Sequence, residues 1–532
     1  MHLRENAFKV SVKLVAFLAS LILFQNCGVG FVQRQISSSG ADDKSSGPAL
    51  VVPHESLSVT PASLQAVHPI RLSYPGLIVA THYFPGWNED EAADGNGATS
   101  PWAWSNINPT YSDRKPLQGW YKDGDPTSVL AIQNARLQIK SAAENGINLF
   151  IFNWFRRNTP NTPRSVVPAL SSALHNGFMK ANDSSTNVKF ALNFTIESFD
   201  DSSPRMGLTI PFSTAGTSSE RINEASYQLA DVLYPYWRAT YFGRSDYQRI
   251  NGRPLILFLA VQNMLRYFGL PANQVNDPTQ QKDSAIRMRA AMDAMRANAA
   301  ASGDSSPLVG CSFFDFVDPG TSDQVAVQNY RYELMTTAGC DFHYDYANGA
   351  VSDRGNDLLW KTYTDLAKAN SADPNMAFIS ALWSSSSANF GAALAGYTQL
   401  KTWDFYHQFD SSLSSPATLS VGWHDEPWGG TASEFLFYLS PKPLQSDRPE
   451  SPTSYYGLLS QYLYRIQTEP TFSRVSGTPM LIVDAWNEYG EGHFIEPTEK
   501  FGFSYLEVLR YVLGNPSDRL NWPTNTQQIL YP

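Results

Sequence analysis

The stretch Thr478–Pro497, TPMLIVDAWNEYGEGHFIEP, decides how the rest of the chain is read. Met480, Leu481, Ile482 and Val483 form an unbroken apolar run, the pattern of a parallel strand covered on both faces. The run gives way at once to Asp484, Trp486, Asn487, Glu488, Glu491, His493 and Glu496, with Gly490 and Gly492 letting the backbone turn tightly. Carboxylates and a tryptophan at the carboxyl end of a core strand belong at the catalytic mouth of a barrel enzyme. Glu488 and Glu491 are the leading catalytic pair.

Upstream, apolar strands alternate with helical patterns. Strands are expected at Leu77–Tyr83, Ile147–Asn153, Val188–Ile196, Pro254–Ala260, Leu308–Phe313, Asp341–Tyr346 and Thr418–Trp423. Helices are expected at Ser128–Asn145, Val166–Lys180, Glu220–Phe242, Asp283–Ala301, Ser322–Thr337, Asn356–Lys368, Ser454–Thr468 and Ser504–Leu513, the last begun by a Ser504/Glu507 capping box. With the stretch at Thr478 this makes eight strand–helix units, an α/β chain folded as a (β/α)8 TIM barrel with long insertions in the loops after its strands. Ala377–Trp383 also reads as a strand and is assigned to an insertion before the seventh barrel strand. An open doubly wound sheet is the alternative, weakened because no glycine-rich phosphate loop follows the first strand.

In a barrel, polar residues at strand ends converge on one face. They are His82 and Tyr83, Asn153 and Trp154, Glu197, Asp315, His343 and Asp345, then Trp423, His424, Asp425 and Glu426, and last the glutamate pair with Trp486, Asn487 and Tyr489. Of the 13 tryptophans, Trp87, Trp102, Trp104, Trp120, Trp154, Trp383, Trp423, Trp428 and Trp486 fall at strand ends or in the loops after strands. Flat aromatic faces beside carboxylates suit a sugar, whose C–H face stacks while its hydroxyls need polar partners. The contrary expectation is that several of these rings simply pack under long loops. Cleaving a glycosidic bond needs one protonated carboxyl and one carboxylate, which Glu488 and Glu491 can supply. The candidate substrate-binding residues are therefore His82, Tyr83, Trp87, Asn153, Trp154, Glu197, Trp423, His424, Asp425, Trp486, Asn487 and Tyr489. No local metal-ligand motif joins His82, His343, His424 and His493, so neither a metal nor any other cofactor is expected.

The net charge of −10 and pI near 5.4 exclude a nucleic-acid partner, since there is no basic stripe to neutralise phosphates. Residues 1–27 read as an export signal: Arg4, Lys9 and Lys13 precede the short apolar run Leu14–Phe24. Cys27-Gly28 directly after it resembles the lipid-modified cysteine of bacterial lipoproteins, although Gln25-Asn26 stand where small residues are usual; plain secretion or a periplasmic location is the alternative. Residues 28–70, rich in Ser, Gly and Pro, are a flexible tether, 71–514 the catalytic barrel and 515–532 a tail. A protein of the bacterial cell envelope, held to the membrane through its lipid alone and monomeric, is expected. Cys311 lies within and Cys340 directly before a predicted core strand, and buried free thiols are expected, with a disulfide as the alternative open to an exported chain.

Trp486-Asn487-Glu488-Tyr489-Gly490-Glu491-Gly492 with Ile495-Glu496-Pro497 resembles the N-E-W-x-E-G-x-x-x-E-P signature of glycoside hydrolase family 99 and the related WbsX-type proteins. Tyr247–Phe258 (YQRINGRPLILF), Gly422-Trp423, His82-Tyr83-Phe84-Pro85 and Asn153-Trp154 are also similar to that family. The resemblance implies a metal-free barrel that cleaves α-mannoside-type linkages inside a glycan with retention. It assigns Glu488 as the base on the substrate's own 2-hydroxyl and Glu491 as the general acid/base. Tyr489 replaces the usual Trp, His424 stands at the relatives' Asp position and Trp428 at their Arg position, departures that bear on substrate identity. Glycosyl transfer of the WbsX type and a non-catalytic surface sugar-binding protein are the two other functions carried forward.

Overall fold

The computed structural model describes residues 67–87, 104, 107, 110–121, 129–156, 165–183, 185–195, 218–271, 274–313, 324–346, 379, 390–409, 413–424, 427, 437–442 and 452–518. Within them the chain forms a (β/α)8 barrel. Its strands are β1 (Ile78–Tyr83), β2 (Leu149–Arg156), β3 (Lys189–Thr195), β4 (Arg253–Leu259), β5 (Leu308–Cys311), β6 (Phe342–His343), β7 (Ala417–Ser420) and β8 (Thr478–Asp484). They pair in parallel in the order β7–β8–β1–β2–β3–β4–β5–β6; Ala80, for example, lies between Ile482 of β8 and Leu149 of β2. The seam between β6 and β7 is bridged by His343 N donating to Ser414 O at 3.0 Å and Thr418 Oγ1 donating to Asp345 O at 3.0 Å. All eight strands lie where the apolar runs put them. Met480, Leu481, Ile482 and Val483 are fully buried, each contributing about 1.5–3 kcal/mol through its side chain.

A helical segment follows each strand: α1 (Val129–Ala143), α2 (Ala173–Phe178 continuing through Met179–Ala181), α3 (Ser218–Tyr227 continuing to Phe242), α4 (Pro278–Ala301), α5 (Gln324–Ala338), α6 (Phe390–His407), α7 (Tyr455–Thr468) and α8 (Ser504–Leu513). Helix α4 starts with Pro278 behind Asp277, whose carboxylate accepts from Thr279 N at 2.8 Å and Gln280 N at 3.3 Å. Ser454 caps α7 by accepting from Gly457 N at 3.2 Å. The capping box expected for α8 does not form: Phe503 is the cap residue and makes no side-chain cap bond, because Ser504 is already helical and its N–H closes a turn onto Phe501 O. Helix α6 was not anticipated; it is apolar around most of its circumference, so it lacks the amphipathic stripe that reveals a helix. It holds β7 through Gln399, which exchanges two bonds with the Ser420 backbone at 2.9 and 2.8 Å, and through Trp403 Nε1 to Thr418 O at 2.7 Å.

Cys311 and Cys340 are joined in a disulfide with a Cα separation of 6.0 Å, which corrects the expectation of free thiols. It ties the end of β5 to the residues leading into β6, positions that the α5 crossover brings side by side. Arg71 pairs with Asp518, and Ser73 N donates to Leu513 O, so the two ends of the barrel segment close on each other. No helix among the described residues is long and apolar enough to cross a membrane. The residues of the export signal, the helix expected at 356–368 and nearly all of the strand expected at 377–383 lie outside the described residues.

Candidate active site

Side-chain parity along the strands decides which polar groups enter the barrel. On β1, His82 turns inward to Asp484, its Nδ1 hydrogen-bonded to Oδ1, while the neighbouring Tyr83 turns outward and donates to Gln138 of α1 at 3.0 Å. On β2, Asn153 faces inward and Trp154 outward, where its Nε1 donates to Tyr241 of α3 at 2.9 Å. After β6, Tyr344 and Tyr346 are inward. His343 and Asp345 lie instead against Tyr332 of α5 and Tyr406 of α6, at 3.3 and 3.0 Å. Burial, with the nearby Arg331 charge, pushes His343 down to about 3. Tyr83, Trp154, His343 and Asp345 are thus placed in the helix-facing layer, each one residue out of phase with a group that does face inward.

The catalytic candidates sit on a small hairpin beyond β8. Asn487–Glu488 pairs antiparallel with His493–Phe494, with Glu488 opposite His493 and Asn487 opposite Phe494. Residues directly opposite in such a pair share a face. Glu488 and His493 form one face, and the turn folds Glu491 back over it: His493 Nε2 lies 2.6 Å from Glu491 Oε2. The turn needs Gly492, which has φ +72° and whose Cβ would lie 2.7 Å from His424 Cβ. His424 N donates to Glu491 O at 2.6 Å, fixing the turn to the residues after β7.

Two polar chains converge on the pair. Tyr344 OH donates to Asn193 at 2.7 Å, Asn193 Nδ2 to Asn153 at 2.9 Å, and Asn153 Nδ2 approaches Glu488 Oε1 at 3.4 Å. Tyr346 OH donates to Glu491 Oε2 at 2.7 Å. Burial, and after it the charges of Glu488, Glu491 and Asp484, hold the Tyr346 phenol well above its ordinary value, so it remains a donor. Glu488 is 2% exposed, whereas the Glu491 side chain is 20% exposed. Trp423 packs on His493 with ring centroids 5.3 Å apart, and the His424 ring sits edge-on to Tyr111 at 5.6 Å.

The structure therefore brings Glu488, Glu491, Asn153, Trp423 and His424 to one mouth, with His82 buried below. It places Trp87, Trp486, Asn487 and Tyr489 elsewhere. Trp87 is fully buried, stacked on Trp104 at 4.4 Å. Asn487 bonds both backbone groups of Phe84, at 2.8 and 2.9 Å, and its own carbonyl accepts from Trp87 Nε1 at 2.7 Å. Tyr489 packs among Trp87, Trp104 and Phe494, and Trp486 packs edge-on to Phe150 at 5.1 Å. Trp486 thus belongs to the barrel core, while Trp87 and Tyr489 belong to a second apolar cluster with Trp104 and Phe494. Glu197, Asp315, Asp425, Glu426, Trp102, Trp383, Trp428 and Cys27 lie outside the described residues. Sequence reasoning missed Tyr346, Tyr344 and Asn193 as site residues; a lone asparagine within the otherwise apolar strand KFALNFT was a usable signal, because such a group needs a buried partner. Among the described residues no group of three or more His, Cys, Asp or Glu could hold a metal ion.

Residues 448–509, which include both glutamates, match the model of the family described as glycosyltransferase WbsX. No curated protein sequence is significantly similar to the chain. Among solved structures, the GH99 endo-α-mannosidase from Bacteroides thetaiotaomicron in complex with Bis-Tris-propane is similar at 12% identity, covering 81% of this chain and 94% of that one, with a TM-score of 0.38. A glycoside hydrolase-like protein is similar at 14% identity over 84% and 97% of the two chains, with a TM-score of 0.40. The resemblance read from Trp486–Pro497 is thus met again by the family comparison, and the segment that carries both glutamates is WbsX-like in sequence.

Proposed function

We propose that this protein is a glycoside hydrolase that cleaves an internal glycosidic bond with Glu488 and Glu491. The observation that carries the reading is the placement of both carboxylates on one side of the β8 hairpin, each tied to inward groups from other strands, Asn153 for Glu488 and Tyr346 for Glu491. By resemblance the linkage is α-mannoside-like and the outcome retention. Glu491 protonates the departing glycosidic oxygen while Glu488 removes the 2-hydroxyl proton, and O2 closes on C1 as the glycosidic bond breaks. Water then reopens the anhydro-sugar, giving its proton to Glu491, and Glu488 returns its proton to O2. Glycosyl transfer is the second reading, favoured by the description of the family whose model matches residues 448–509.

The experiment is incubation with manno-oligosaccharides and mannan-like polysaccharides, alone and with an activated sugar donor. New reducing ends without a donor support hydrolysis, and donor-dependent elongation of an acceptor replaces it with transfer. Glycan binding with neither reaction would make the protein a surface sugar-binding module. We further propose export with lipid attachment at Cys27; the Cys311–Cys340 disulfide supports an oxidising compartment.

A further inference from the structure

We propose that Glu496 is the positioning residue of the Glu488/Glu491 pair, a buried carboxyl that holds the catalytic hairpin in place from behind; the proposal rests on the reading of that pair as catalytic. Glu496 lies just past the hairpin, 3% exposed, and its N–H donates to Trp486 O at 2.9 Å. Four side chains converge on its carboxyl group. Gln118 and Gln138 donate to Oε1 at 2.6 and 2.9 Å, Tyr121 donates to Oε2 at 2.8 Å, and Tyr489 OH donates to the same Oε2. Gln138 is oriented by Tyr83, which donates to its Oε1 at 3.0 Å, so its amide N–H₂ is the end turned to Glu496.

The geometry gives this cluster a reach beyond packing. Tyr489 is the residue between the two catalytic glutamates along the chain, and its carbonyl accepts from Arg114. The Tyr121 hydroxyl that serves Glu496 also accepts from Asn487 Nδ2 at 3.4 Å, and Asn487 precedes Glu488. Residues 487 and 489, on either side of Glu488, are therefore both tied to the Glu496 cluster, while Glu488 itself faces the mouth. Among the described residues, the side chains that hydrogen-bond the carboxyl are two tyrosine hydroxyls and two glutamine amides, with the Trp486 indole beside them. Burial pushes Glu496 up to about 7, against the pull of the Tyr489, Gln138 and Tyr121 donors. Asn487 and Tyr489 alternate with Glu488 along the chain and point to the opposite side of the hairpin, so Glu496 acts through the hairpin.

The test compares the wild type with Glu496→Ala and Glu496→Gln by hydrogen exchange of residues 485–497, with kcat and KM on whichever glycan the wild type cleaves. Glutamine keeps the shape and the acceptor oxygen for Gln118 and Gln138, and its Nε2 donates to the two tyrosine oxygens, which accept as well as donate. Alanine leaves them without their shared acceptor. We expect Glu496→Ala to speed exchange of the hairpin at least about tenfold and to lower kcat about 100-fold with little change in KM. Glu496→Gln should stay near wild type in both. Faster exchange across the whole barrel with unchanged kcat per folded molecule would make Glu496 merely structural and overturn the proposal, as would wild-type exchange of the hairpin in Glu496→Ala. If Glu496→Ala does not fold, Tyr489→Phe, which removes one of the four donors, is read against the same outcomes. A wild type that cleaves no glycan would refute the reading of the pair, while the exchange data still decide whether Glu496 holds the hairpin.

Discussion

Tyr346, just after β6, donates its hydroxyl to Glu491 Oε2 at 2.7 Å and so joins the sixth and eighth strand ends across the barrel mouth. The same Oε2 meets His493 Nε2 at 2.6 Å, so both contacts fall on one carboxylate oxygen. Removing a hydrogen bond to a charged group costs about 1.5–3 kcal/mol, roughly 10–100-fold in rate if it acts at the transition state. Tyr346→Phe should therefore lose about that factor in kcat/KM while its thermal melt stays close to wild type. Parallel kinetics and melting curves check this.

Gly492 cannot be replaced cheaply. Its φ of +72° and the 2.8 Å approach of an added Cβ to His424 N leave no room for a side chain against a fixed backbone. Gly492→Ala should cost about 1–3 kcal/mol of stability and displace Glu491, seen as a lowered denaturation midpoint together with loss of turnover.

Stability should fall as pH rises from about 4.5 to about 7, through the titration of Glu496. Its folded value of about 7 lies above its ordinary 4.5, so in that window the folded state binds more protons than the unfolded state. The loss is complete above about 7 and amounts to ~3 kcal/mol. Glu496→Gln should flatten this part of the curve, which denaturant unfolding at a series of pH values will measure.

Breaking the Cys311–Cys340 disulfide, which spans 29 residues, should cost ~3–4 kcal/mol by releasing the unfolded chain. Unfolding with and without reductant, compared with the double alanine variant, checks the figure.

Wild-type protein should fractionate with membranes and carry metabolic acyl label, and Cys27→Ser should be soluble and unlabelled. An unlabelled, freely soluble wild type leaves plain secretion.

The strand–helix alternation was readable because parallel core strands are apolar throughout and their ends turn polar abruptly, as at Val483–Asp484. The glutamate pair was readable for the same reason. What could not be read was parity: the short run Phe342–Tyr346 alternates tyrosines with a histidine and an aspartate, and nothing local says which set faces inward. Charged and aromatic residues look equally catalytic in sequence, yet Trp87, Asn487 and Tyr489 serve the packing behind the hairpin. The role of Glu496 depends on Gln118, Tyr121 and Gln138, partners 358–378 residues away along the chain, and only folding brings them together. The disulfide, likewise, needed the α5 crossover to bring Cys311 beside Cys340.

Turnover by Glu488→Gln, Glu491→Gln and the double variant, followed as reducing-end release from a glycan that the wild type cleaves, tests the catalytic assignment most directly. Residues acting as a unit show losses that do not add. Each single variant should fall at least about 1,000-fold and the double variant little further. A single variant that keeps near-wild-type rate would contradict the assignment.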